Sequence, residues 1–328
     1  MKKYITKENQ KKLFRVLNFV LMFLAWIYLY SQIKNHNLFF LQITNLWNEL
    51  QKKRVILLIV FALMFTNWIL EAKKWQILIK SLAKINLLES LEAVWVGLSL
   101  ATFLPLGNYL GRAKKLPQKN RFDSAAALMV NGGLQFWATM LGGIFGISQF
   151  LELGKLITFL LFVFWILIYL VGIFFYKKLP PIKTQKVIEK KYYFSKTLKT
   201  VSYITNWVQN NLYFASQYSQ KEILKATFLA LLRYTVFMIQ MILIFKAAGF
   251  LLSIEKIIVG SSLLFAAKSV LPVGGFVVGL SVREATALYF FGSLGEEKVV
   301  TITFLLWIIN IGLPVLVGSV LLLRNKIT

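Results

Sequence analysis

Pro272-Val273-Gly274-Gly275 divides an apolar stretch that runs from Ile257 and resumes at Phe276, continuing to Phe291. Proline removes a helical hydrogen bond and glycine relaxes the backbone, so the break predicts a discontinuous helix or a re-entrant hairpin. A second break of the same kind follows Leu91–Pro105, at Pro105-Leu106-Gly107. The two resemble each other in detail. Pro105 and Pro272 are 167 residues apart, Gly107-Asn108-Tyr109-Leu110-Gly111 matches Gly275-Phe276-Val277-Val278-Gly279 at a spacing of 168, and Arg112 and Arg283 follow them. The apolar segments before the breaks, Val55–Ile79 and Ala226–Lys246, stand at about the same spacing, which predicts two related halves.

The surroundings of the breaks set the class of protein. Of the 328 residues, 58% are hydrophobic and 16% charged, against about 45–50% and 25% in soluble chains. The predicted fold is all-α and polytopic. Its spans are Leu13–Ile33, Val55–Ile79, Ser124–Phe150, Leu156–Tyr176, Ala226–Lys246 and Val299–Leu323, each close to the roughly 20 residues that cross a bilayer core. Glu71, Lys73 and Lys74 interrupt the second span, which is expected to end near Leu70. The first is longer than a signal-peptide core and is read as an anchor. The organisation expected is one membrane domain: an N-terminal anchor in 1–54, a first repeat in 55–150, a connecting span and amphipathic linker in 151–225, and a second repeat in 226–328.

Three spans separate the start of one half from the start of the other, provided each Pro/Gly hairpin enters and leaves on one side. The repeats are then inverted. Basic residues follow the same scheme: 27 of the 38 Lys+Arg fall in 1–15, 71–89, 112–121, 177–225 and 324–328, and 8 fall on the opposite side. Cytoplasmic segments concentrate Lys and Arg, so both termini are expected in the cytoplasm of a cell membrane protein. Between Phe194 and Leu212, apolar residues recur at helical spacing beside Lys190, Lys191, Lys196 and Lys199, as in a helix lying on a membrane surface.

The net charge of +25 fits basic loops at an anionic lipid surface and does not call for nucleic acid. With no cysteine and one histidine, His36, thiol chemistry is excluded and histidine chemistry is nearly so. No nucleotide-binding motif is visible, and no cofactor, metal site or catalytic residue is expected.

Charged groups at membrane depth cost about 2.5–3.5 kcal/mol each on insertion scales, so each calls for a partner or a function. Lys268, Arg283 and Glu284 meet this description, and Arg233 lies inside a predicted span. Arg283 and Glu284 point about 100° apart on a helix, so they are expected not to neutralise each other. Arg112, first in the run Arg112-Ala113-Lys114-Lys115, is singled out by its place after the first break. Together with backbone amides near Gly107, Asn108, Gly111, Gly274, Gly275 and Gly279, these residues form the expected binding set for an anionic headgroup. Gly142-Gly143-Ile144-Phe145-Gly146 reads as a packing motif.

The stretch Leu271–Ala285, with Pro272, Gly274-Gly275, Gly279 and Arg283-Glu284, resembles a signature of the lysylphosphatidylglycerol synthase transmembrane-region family, described as flippase-like. Pro105–Arg112 is similar to that family's earlier element, except that Asn108 stands where the family pattern has glutamate, so no proton-linked role is carried over to it. The resemblance extends from about Val55 to Leu323, with two specific elements. It implies the lipid-handling part of such proteins without the soluble synthase domain. The expected function is translocation of an anionic or phosphate-bearing lipid across the bilayer. The alternatives are a lipid-modifying enzyme with Glu284 as base, or a non-catalytic partner of cell-envelope biosynthesis enzymes.

Overall fold

The computed structural model describes residues 37–104, 106–176, 214–270 and 276–324, all of them in helices or the turns between helices. The helices are α1 (Asn37–Lys52), α2 (Arg54–Ile79), α3 (Leu87–Phe103), α4 (Gly107–Ala113), α5 (Ser124–Phe150), α6 (Lys155–Tyr176), α7 (Gln220–Ala247), α8 (Ile254–Val270), α9 (Phe276–Phe291), α10 (Glu296–Trp307) and α11 (Leu313–Arg324). The N-terminal anchor Leu13–Ile33, His36 and the surface helix expected after Phe194 lie outside the described residues.

Local chemistry explains several boundaries. At the start of α3 the Asn86 amide donates to Glu89 Oε2 and the Glu89 amide donates to Asn86 Oδ1, both at 2.8 Å. Ser219 and Glu222 make the same reciprocal pair at the start of α7. Each satisfies two amides that a helix start leaves without intrahelical acceptors. Near the C-terminus a π turn, Ile308–Gly312, joins α10 to α11 just before Pro314. A proline ring collides with the carbonyl four residues earlier, here that of Asn310, and the wider turn makes room for it.

Four helical segments are long and apolar enough to cross a membrane: Arg54–Ile79, Lys155–Phe174, Gln220–Ala247 and Lys298–Arg324. These fit a multi-pass membrane protein. α5 has the length but carries Asn131, Gln135 and Thr139 along its middle. One boundary departs from expectation: α2 does not end near Leu70 but continues through Glu71, Lys73 and Lys74 to Ile79. The reason is that Glu71 and Lys74 are not solvated at a helix end. They are buried and paired.

The described residues pack as two compact units. The first comprises Met1–Phe65, Trp95–Gly111 and Met238–Thr328. Its core gathers Leu46, Leu50, Val60, Phe245, Leu264, Phe291 and Ile302. The first Pro/Gly break lies between α3, which ends at Phe103, and α4, which begins at Gly107; at the second, the described residues end with α8 at Val270 and resume with α9 at Phe276. At the first break the left-handed residue is Leu106, at φ 61°, and not a glycine. Gly107 and Gly111 are needed for space instead. A Cβ on Gly107 would lie 2.1 Å from the Leu100 carbonyl oxygen, and one on Gly111 would lie 2.4 Å from the Gly97 backbone. Gly111→Ala is therefore expected to force α4 away from α3 and to cost about 1–3 kcal/mol, read as a lower midpoint of thermal unfolding in detergent. Unchanged stability would contradict this contact.

The second unit comprises Thr66–Val94 and Arg112–Phe237. Side-chain bonds to backbone carbonyls join its helices. Ser90 Oγ donates to the Ala72 carbonyl at 2.6 Å. The Tyr218 hydroxyl donates to the Leu78 carbonyl at 2.6 Å, and burial pushes its phenol above the ordinary tyrosine range. The indoles of Trp137 and Trp165 donate to each other's carbonyls, and Trp137 stacks on Tyr169 at 4.3 Å, which fixes α6 to α5. The remainder of α6 exposes Leu156, Phe159, Phe164 and Leu170, as suits a helix in contact with lipid.

A buried cluster of charge in the second unit

Asn67, Trp68, Glu71, Lys74, Trp75 and Leu78 recur every three or four residues, which puts them on one face of α2. All six are buried. Glu71 is at the centre. Its Oε1 accepts from Arg112 Nη2 at 2.7 Å and from Asn131 Nδ2 at 2.8 Å. Its Oε2 accepts from Arg233 Nη1 at 2.6 Å and pairs with Lys74 Nζ at 3.0 Å. Both oxygens therefore hold two donors each, the practical capacity of a carboxylate.

The cations are fixed in turn by their surroundings. Arg233 donates through Nε to Asn67 Oδ1 at 2.7 Å and lies over the rings of Trp68 and Phe237, 5.2 and 5.5 Å from their centroids. Arg112 lies over Trp75 at 5.1 Å. Lys74, fully buried, donates to Gln135 Oε1 at 3.1 Å. Aromatic faces stabilise a cation most where water is absent. The cluster thus joins α2, α4, α5 and α7 within one unit, and its ion pairs set three cations around one carboxylate. Asn67 Nδ2 and Trp75 Nε1, both buried donors, have no hydrogen-bond partner among the described residues, and neither does the acceptor Asn131 Oδ1.

Of the residues expected from sequence, Arg112 and Arg233 meet here. The basic run that begins at Arg112 divides at once: Arg112 turns inward, whereas Lys115 pairs with Glu92 at 2.6 Å in a partly exposed position. Sequence reasoning passes over Glu71, Lys74, Asn67, Asn131 and Gln135. The signal for two of them is present, because the insertion cost that marks Arg283 applies equally to a glutamate and a lysine three residues apart inside an apolar run.

Arg283 and Glu284 lie in the first unit. They correct an expectation, since the two do pair: Arg283 Nη2 donates to Glu284 Oε1, and Thr303 Oγ1 donates to Glu284 Oε2. The 100° between adjacent helix positions is spanned by the length of the arginine side chain, and both groups are shielded enough from water for the attraction to matter. Lys268 is exposed in the last turn of α8, where a cation complements the helix dipole. Gly279 lies in α9, while Pro105, Pro272, Gly274 and Gly275 fall outside the described residues. Asn108 is half-buried in the first turn of α4. Gly142, from the packing motif, lies against the ring of Tyr234.

The fold and the cluster together define a helical, multi-pass membrane protein with a buried, cation-rich ion-pair centre. Comparison with protein families, with curated proteins and with solved structures finds no match to this chain. The resemblance drawn from sequence therefore rests on the Pro105–Arg112 and Leu271–Ala285 elements alone.

Proposed function

We propose that this protein is a lipid translocase, flippase-like, that carries an anionic or phosphate-bearing lipid between the leaflets of a cell membrane. The observation that supports this most is the cluster around Glu71, where the buried Lys74 and Arg112 and the largely buried Arg233 share one carboxylate in a protein whose helices fit a bilayer. Charge of one sign is not kept in such a place without an attractive partner, because each unbalanced ion costs several kcal/mol. An anionic headgroup supplies the balance while its acyl chains remain in lipid. In this reading Arg112 and Arg233 bind the headgroup, and the Arg283–Glu284 pair steadies the second broken helix.

The architecture that goes with this function is a pair of inverted repeats, each with a re-entrant Pro/Gly hairpin, and both termini in the cytoplasm. Cell-envelope biosynthesis enzymes are the natural suppliers or users of the lipid. Topology is tested by single-cysteine labelling, to which the absence of native cysteine lends itself. Gln185→Cys in intact cells is expected to resist an impermeant maleimide from outside and to react after permeabilisation. Labelling from outside would overturn the orientation.

Transport itself is tested in liposomes with leaflet-specific lipid detection. Redistribution of chemically unchanged lipid supports the translocase. A chemically altered lipid would replace it with an enzyme, and inactivity until an envelope enzyme is added would replace it with an accessory role.

A further inference from the structure

The charges of the cluster define its ligand more narrowly. Lys74 and Glu71 come from α2, Arg112 from α4 and Arg233 from α7, while α5 contributes the neutral amides of Asn131 and Gln135. One carboxylate against three cations leaves an excess of two positive charges. The Glu71 oxygens already accept four donors, so this side chain has no acceptor capacity left for more. Neutral donors remain beside the cations: Asn67, whose Oδ1 holds Arg233, has Nδ2 without a partner among the described residues, and Trp75, whose ring lies under Arg112, has Nε1 in the same condition.

From this juxtaposition we infer that the site takes a dianion, a terminal phosphomonoester, in preference to the monoanionic phosphodiester of most lipid headgroups. The inference rests on the anionic-lipid reading above and sharpens it. A phosphomonoester carries close to two charges above its second pKa of about 6 and offers three terminal oxygens to the donors. A phosphodiester carries one charge and would leave the cluster positive. The same chemistry is presented by a phosphomonoester lipid and by inorganic phosphate.

The test is titration of the full chain in uncharged detergent, followed by tryptophan fluorescence, with short-chain phosphatidic acid, short-chain phosphatidylglycerol and inorganic phosphate. Phosphatidic acid is expected to bind roughly tenfold or more tightly than phosphatidylglycerol at pH 7. At pH 5, where both ligands are monoanions, the difference should shrink to about twofold or less. Lys74→Met lowers the excess to one charge and is expected to remove most of the preference at pH 7. Should that variant not fold, the pH comparison on the unaltered chain decides the matter alone.

Equal affinities at pH 7 would overturn the dianion inference and leave the anionic-lipid reading standing. Absence of binding by either lipid and by phosphate would overturn both. Inorganic phosphate binding as tightly as phosphatidic acid would support the dianion and overturn the lipid as its source.

Discussion

Replacing Glu71 by glutamine is expected to lower the stability of the protein by about 3–5 kcal/mol, the range found when one partner of a buried ion pair is removed. The substitution conserves shape, but it removes the charge and turns one oxygen that accepts two donors into an NH2 donor facing them, so the loss reports charge and acceptor together. Arg112, Lys74 and Arg233 would remain within a few ångströms of one another in the absence of their shared carboxylate. Their mutual repulsion is weakly screened because the group is out of contact with water. Thermal unfolding in detergent checks this, with Glu92→Gln as the control, since the Glu92–Lys115 pair is partly exposed and pairs of that kind contribute at most about 1 kcal/mol. Similar losses in the two variants would show that the cluster is not the centre of the second unit.

The second large effect is expected on transport. Arg112→Lys keeps the charge but replaces a planar guanidinium, stacked on Trp75 and bonded to Glu71, with a shorter and rounder ammonium. Lysine does not reproduce the stacking or the paired N–H geometry that holds an oxyanion. A charged hydrogen bond of this kind contributes about 1.5–3 kcal/mol, so the rate of lipid redistribution in liposomes should fall by roughly tenfold or more. Lys115→Ala, three positions along the same basic run, should change the rate less than about twofold. Equal rates for Arg112→Lys and the unaltered protein would remove Arg112 from the headgroup site.

The sequence was most legible where the physics is additive along the chain. The expected spans Leu156–Tyr176 and Val299–Leu323 lie inside helical segments apolar enough to cross, because bilayer thickness imposes a length that hydropathy reports directly, whereas Ser124–Phe150 is matched by α5 as a helix but is too polar in its middle to count among them. At the first Pro/Gly break the end of α3 at Phe103 and the start of α4 at Gly107 were legible from local chemistry, since proline acts on its own neighbourhood. The charged cluster was only half legible. Arg112 and Arg233 stood out by position, but Glu71 looked like an interruption of an apolar run, and its meaning depends on an arginine 162 residues later. Asn131 and Gln135 gave no signal, because amides in a long apolar helix acquire a role only when the opposite helix is known. Arg283 and Glu284 were misjudged because helical angles describe where side chains start and not how far a long one reaches.

The position of Glu71 also constrains how the chain enters the membrane during synthesis. Glu71 and Lys74 lie three residues apart on α2, so the nascent helix carries its own counter-ion and can leave the translocation channel as a neutral pair. Arg112 and Arg233 follow only after the intervening chain has been made. Each brings a positive charge to a carboxylate that α2 already presents, so the attraction between them favours placing first α4 and then α7 against α2 in chain order.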